Sequence, residues 1–284
     1  MDYIIENSNL KVVINSKGAE LTSLFNKKNN FEYIWQKDTK FWAKSSPILF
    51  PFVGTIKNEK YSYDGKEYQI KTRHGFARDN EFIVNKQGEN FIEFLFSSNE
   101  ETKKIYPFDF NLYLKYSICE NELVFEYKVE NLTNGDMYFS LGAHPAFNLF
   151  EKNNNFVEFE KDEIGASKII ENGFLGEKTQ ELFKGKIFKF DEKTFEKDAV
   201  ILEKTNSKKI FLKSLNSDKK LEFDYEGFKY IAFWNVPGSG FICFEPWDGI
   251  TDYVNSNGKL EDKIGIEKLE KEQVYQRKIK IKVI

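Results

Sequence analysis

The sequence predicts an all-β protein, a sandwich of large antiparallel sheets, and three observations carry that expectation. Apolar and polar residues alternate at period two through most of the 284 residues, turn-forming pairs recur at short intervals, and helical periodicity is weak. Aromatic residues make up 17% of the chain, led by 29 Phe and 14 Tyr, which favours strands. With only six prolines and no Ser/Gly-rich stretch to act as a linker, residues 1–284 read as a single domain.

The alternation places the elements one by one. Residues 3–7 and 10–14 open the chain as strands, and Asp64-Gly65 between strand-like flanks suits a type I′ hairpin, which needs positive φ at both central residues. Segments 81–85 and 90–96 follow. In residues 112–118, Leu112, Leu114, Tyr116 and Ile118 share one face. Leu123, Phe125, Tyr127 and Val129 do the same in the next strand, and Cys119 to Glu122 between them form a hairpin turn. Asn134-Gly135 repeats the hairpin signal before 136–141. Strands at 155–160, 199–203, 210–213, 220–225, 230–234, 240–245 and 273–283 complete the set. Residues 38–42 and 179–183 have room for a turn of helix each.

Composition then narrows the function. Lys+Arg 42 against Asp+Glu 45 leaves a net charge of −3, with neither a basic stripe for nucleic acid nor an acidic tail. The first residues lack the basic and apolar regions of a secretory signal. The run Pro47-Ile48-Leu49-Phe50-Pro51-Phe52-Val53 is far short of the roughly 20 residues that span a bilayer. Cys119 and Cys243 are too few for a disulfide framework and fit a reduced compartment. A cytoplasmic protein that binds neither nucleic acid nor membrane is expected.

Three islands combine turn-forming residues with groups able to do chemistry. They are Arg73-His74-Gly75-Phe76-Ala77-Arg78-Asp79, Leu141-Gly142-Ala143-His144-Pro145-Ala146-Phe147-Asn148, and Phe241-Ile242-Cys243-Phe244-Glu245-Pro246-Trp247-Asp248-Gly249. They hold both histidines and two of the three arginines of the chain. One histidine alone more often caps a turn, but this concentration points to function. Imidazole exchanges protons near neutral pH, and guanidinium grips oxygen atoms in two places. In the third island Pro246 denies the next ladder hydrogen bond, so the strand is expected to end at Glu245 and present it at a sheet rim. There it is either a partly desolvated base or an exposed strand end. Trp247 offers a flat face for a sugar ring. No nucleophile elbow, phosphate loop, dinucleotide fingerprint or metal-ligand spacing is present, which leaves acid/base work without metal or cofactor.

On His74-Gly75-Phe76-Ala77-Arg78, Gly142-Ala143-His144-Pro145-Ala146-Phe147 and Glu245-Pro246-Trp247, in that order, the chain resembles the aldose 1-epimerase (galactose mutarotase-like) superfamily. It looks closest to the LacX-type branch. The likeness runs from Gly18-Ala19-Glu20-Leu21 to Lys263-Ile264-Gly265-Ile266. It implies a β-supersandwich of large antiparallel sheets and a cofactor-independent isomerase that interconverts the anomers of a hexose. By similarity, Glu245 is the general base on the anomeric hydroxyl, His144 the general acid at the ring oxygen, and His74 a second group holding that oxygen. Asn58 aligns with an asparagine of the galactose mutarotases, but Glu59 and Thr55 stand where relatives carry arginine. Asp198 occupies the approximate place of a sugar-binding aspartate, or starts a strand in a turn. Arg73 and Arg78 would bind sugar hydroxyls, or the phosphate of a hexose 6-phosphate. A hexose-6-phosphate 1-epimerase and a non-catalytic carbohydrate-binding protein are the alternatives on the same fold.

Overall fold

Strand pairing follows the alternation. In the computed structural model, which describes residues 1–191 and 193–284, Phe110–Cys119 and Glu122–Asn131 pair antiparallel. Leu112 lies opposite Val129, Leu114 opposite Tyr127, Tyr116 opposite Phe125 and Ile118 opposite Leu123. All eight side chains are buried on one face. These strands belong to a nine-stranded antiparallel sheet that also takes in Asn155–Glu171, Phe174–Lys189 and the C-terminal Val274–Val283. A six-stranded sheet contains Val200–Glu203, Tyr230–Trp234, Phe241–Asp248, Leu141–Ala143, Ala146–Asn148 and Ile48–Leu49. Asp2–Glu6, Leu10–Asn15, Glu20–Asn26 and Phe31–Glu32 make a third sheet. The all-β sandwich is as expected.

The nine-stranded and six-stranded sheets meet through aromatic rings. Phe233 and Phe244 of the smaller sheet pack on Phe159, Phe188 and Phe223 of the larger, with centroids 5.3–6.0 Å apart. Side chains alternate across a strand, so this contact dictates what the other face carries. With Ile242 and Phe244 in the core, Cys243, Glu245 and Trp247 must point the opposite way. Their cross-strand partners Trp234, Ala232 and Tyr230 point with them.

Asp64 and Gly65 adopt φ of 48° and 70° between Lys60–Tyr63 and Lys66–Gln69, the expected hairpin. Asn134-Gly135 instead turns the chain between two sheets. Glu122–Asn131 and Met137–Phe139 pair with other strands and not with each other. Phe41 and Trp42 both donate to the Asp38 carbonyl, the single turn expected there. The helical turn expected at 179–183 is extended chain within Phe174–Lys189. Pairing with its long neighbour decides it, and exposure on both faces of this edge strand had erased the alternation. The helix Glu100–Ile105 was not foreseen, although Asn99 caps it, accepting from the Glu101 and Thr102 amides while Thr102 Oγ1 accepts from the Asn99 amide. No helix among the described residues is long and apolar enough to cross a membrane.

Candidate active site

Pro246 does not end its strand. Phe241–Asp248 runs straight through it, buried at every position, and Glu245 lies mid-strand rather than at a rim. The reason is the neighbour. Ala146–Asn148 pairs with the strand as far as Cys243, and Leu141–Ala143 resumes the pairing at Trp247. Between them the chain loops out at His144-Pro145, leaving only the Phe244 amide bonded, to the Pro145 carbonyl at 3.1 Å. Backbone groups of alternate residues face the same neighbour. Proline therefore falls where an amide would meet a gap, and its missing N–H goes unnoticed.

That same interruption delivers the imidazole. His144 sits at the break in its strand, directly across from Glu245, and its Nε2 lies 3.2 Å from Glu245 Oε2. Ala232, opposite Glu245 on the other side, is too small to fill the space above the carboxylate. Trp42 stacks on the His144 ring with centroids 4.9 Å apart at 26°, and Trp234 meets its edge at 5.7 Å. The Trp35 indole donates to the Trp42 carbonyl at 2.9 Å and so fixes the stack from behind.

His74 arrives on a tight loop. His74 and Gly75 both have positive φ, 68° and 72°. The His74 amide donates to the Gly54 carbonyl, and its Nδ1 accepts from the Gly54 amide at 3.0 Å. An accepting Nδ1 leaves the proton on Nε2, so this ring is a neutral donor toward the space it shares with His144, 5.7 Å away between centroids. Gly75 is obligatory at this bend, because a Cβ there would lie 2.2 Å from the Phe50 carbonyl oxygen. Gly75→Ala is expected to cost about 2–5 kcal/mol, combining left-handed strain with backbone displacement. Thermal melting should register it as a lowered Tm, accompanied by loss of whatever activity depends on His74. Gly142 serves Trp247 likewise; a Cβ there would press within 2.6 Å of the indole Cδ1.

Together these side chains line a cleft of about 370 Å³, bounded by Trp42, Trp234 and Trp247, with Glu245 and His144 at its floor and His74, Arg73, Arg78 and Asp198 around them. Glu245 is 1% exposed and His144 7%. Burial pushes the Glu245 carboxyl well above the usual carboxylate range. Arg73 opposes that shift, Asp198 adds to it, and the Trp247 indole opposes it. Burial drives His144 down to about 3, against its own backbone hydrogen bond and with help from Arg73 and Arg78. His74 is pushed well below its ordinary value, first by burial and then by Arg73, His144 and Arg78. Desolvation also raises the Cys243 thiol, which lies under the pair.

The expected sugar contacts divide. Arg73 bonds both Asp198 oxygens, at 3.2 and 3.1 Å, closing one side of the cleft. Asp198 holds a φ of 108° and caps the Ala199 amide at 2.8 Å, so it is at once a turn residue and a cleft residue. Arg78 donates to the Arg73 carbonyl at 2.7 Å. Asn58 is exposed in the short turn Lys57–Glu59 and does not line the cleft. Besides Phe41, two lining tryptophans were missed, Trp42 and Trp234. Their signal was rarity, since three of only four tryptophans in the chain lie here. The sequence shows no metal-ligand spacing, but the fold adds a proximity that spacing does not record. The strand fold brings His144, Cys243 and Glu245 within 4.8 Å of one another.

Fold and site define a class of β-sandwich protein with a carboxylate and an imidazole at the floor of an aromatic cleft. A family model described as aldose 1-epimerase matches residues 1–281, and the chain belongs to that family. It is 33% identical over 285 residues to the plasmid-encoded protein LacX of Lactococcus lactis subsp. lactis, covering 95% of each chain, and 32% identical to the chromosomal LacX with the same coverage. Among solved structures it is similar to a galactose mutarotase related enzyme from Lactobacillus acidophilus. That match has TM-score 0.93 and 30% identity, with 100% of this chain and 97% of that one covered. A galactose mutarotase-like protein from Lactobacillus casei matches with TM-score 0.94 and 29% identity over all of both chains. Membership implies a sugar as the small molecule and isomerisation as the class of reaction.

Proposed function

We propose that this protein is an aldose 1-epimerase that interconverts the α and β anomers of a neutral hexose, with Glu245 as base and His144 and His74 at the ring oxygen. The observation that carries the reading is the 3.2 Å approach of Glu245 Oε2 to His144 Nε2 beneath an aromatic cleft. Mutarotation takes a proton from the anomeric hydroxyl and gives one to the ring oxygen. Both oxygens are bonded to the same carbon, so donor and acceptor must lie a few ångströms apart.

The opposed effects of burial fit this task. A raised carboxyl and a lowered imidazole hold one proton between them, on the carboxyl when the site is at rest. Moving that proton to His144 creates the base and the acid in one step, with no change in the number bound. Glu245 then accepts the proton of the anomeric hydroxyl while His144 protonates the ring oxygen, assisted by the Nε2–H of His74. The C1–ring-oxygen bond breaks, the free aldehyde forms, and C1 turns about the C1–C2 bond. Closure with the two roles reversed delivers the other anomer. Each proton-transfer group contributes roughly 10²–10⁴-fold, and holding the pyranose against the tryptophans contributes further.

A neutral hexose is favoured over a hexose 6-phosphate because Arg73 is already neutralised by Asp198. Polarimetry on freshly dissolved α-glucose and α-galactose should reveal a catalysed approach to equilibrium, and thermal-shift assays should show stabilisation by these sugars. Stronger stabilisation and faster turnover with hexose 6-phosphates would replace the neutral substrate by the phosphorylated one. Binding without any catalysed rotation would leave a carbohydrate-binding protein.

A further inference from the structure

Cys243 plays no part in the proton transfers above, yet it is fully buried beside both groups that carry them. It shares a strand face with Glu245, two residues away, and His144 leans over the two from the interrupted neighbouring strand. One ligand atom from each of the three, a thiol sulfur, a ring nitrogen and a carboxylate oxygen, lies within 4.8 Å of the other two. Apart from the ring's contact with its own backbone, His144 Nδ1 has no hydrogen-bond partner among the described residues, so no neighbouring residue anchors the ring there against a small rotation.

We propose that Cys243, His144 and Glu245 form a latent site for a thiophilic divalent cation, zinc being the type, whose occupancy shuts the acid–base pair. Three protein ligands with a fourth position open to a cleft is the coordination of an accessible zinc centre. Bonds of about 2.0–2.3 Å hold tetrahedral ligands on the order of 3.5 Å apart, so the trio must close by roughly 1 Å at its widest. Sulfur and imidazole select zinc, cadmium or cobalt over magnesium and calcium, which prefer all-oxygen shells. As the cation enters, the thiol proton and the proton held between Glu245 and His144 both leave to solvent, and the lone pairs of Glu245 and His144 that would handle sugar protons become bonded to metal. The shut-off rests on the proposed catalytic roles; the binding does not.

The test uses the intact protein carrying Cys119→Ser, which removes the one exposed thiol, after chelator treatment. Cobalt(II) titration should produce a thiolate-to-cobalt charge-transfer band that zinc displaces and magnesium does not. Zinc should inhibit catalysed mutarotation reversibly on chelation, and saturating sugar should oppose it. Adding Cys243→Ser, or Cys243→Ala where the serine is poorly tolerated, should abolish the band. It should also raise the inhibitory zinc concentration by at least about 100-fold, since losing even outer-shell partners costs roughly 10–100-fold. No band in the parent, or a band and zinc inhibition that survive loss of Cys243, would overturn the site. A Cys243-dependent band without inhibition would uphold the site and count instead against the catalytic roles.

Discussion

Glu245→Gln is expected to lower the catalysed interconversion of anomers by roughly 10²–10⁴-fold while leaving hexose affinity within a few-fold of wild type. The amide keeps the shape and polarity of the carboxyl but cannot accept the proton. The cleft walls that hold the sugar are untouched, so polarimetry should show lower kcat with KM little changed, the mark of an interaction made only in the transition state. Unchanged catalysis in this variant would exclude Glu245 as base.

The same substitution carries a second consequence of opposite sign. Burial raises the folded-state pKa of Glu245 above the unfolded value of about 4.3. Its contribution to folding is therefore fully present only below that value and is lost as pH rises through the folded pKa. Glutamine is neutral throughout and escapes this loss. The variant should melt at least as high as wild type near neutral pH, and its advantage should grow with pH. In a chain of this size each 1 kcal/mol moves Tm by about 2–4 °C. A less active but more stable variant would mark Glu245 as a buried charge retained for chemistry.

His144→Asn should slow mutarotation by a comparable roughly 10²–10⁴-fold at every pH, because asparagine cannot give up a proton and the neutral His74, held by the Gly54 amide, only donates a hydrogen bond to the ring oxygen. Burial lowers this imidazole to about 3. Its contribution to folding is present above the unfolded value of about 6.5 and is lost as pH falls through about 3. Wild type should therefore lose stability over that acid range more steeply than His144→Asn. The acid limb of the wild-type rate profile should likewise lie well below an ordinary histidine. If His144→Asn altered only affinity, the acid would have to be sought elsewhere, with His74 first.

Much of this was legible in the sequence, and the limits have physical causes. Strict alternation in 110–131 reported a half-buried antiparallel pair, because one face met the core and the other met water. The strand of Glu245 could not be read that way. It is buried on both faces, so alternation vanishes, and Pro246 looked like a stop because its effect depends on a gap in a strand a hundred residues earlier. The three islands were visible as chemistry, but their convergence was not. Arg73 and Asp198 are 125 residues apart and meet only through the fold. The Trp42 and Trp234 walls were read as ordinary strand and turn aromatics, since nothing local separates a core ring from one that faces a cleft. Asn58, inferred by alignment alone, is exposed and away from the cleft.

Two-dimensional exchange NMR on a saturating hexose tests the acid–base pair most directly, since it sees the two anomeric protons interconvert on the protein and reports binding through the same signals. Wild type should give cross-peaks between the α and β resonances, and Glu245→Gln should broaden those resonances on binding yet give none. Cross-peaks of equal strength in the variant, or none from wild type with sugar bound, would contradict a proton shared by Glu245 and His144 as the engine of this protein.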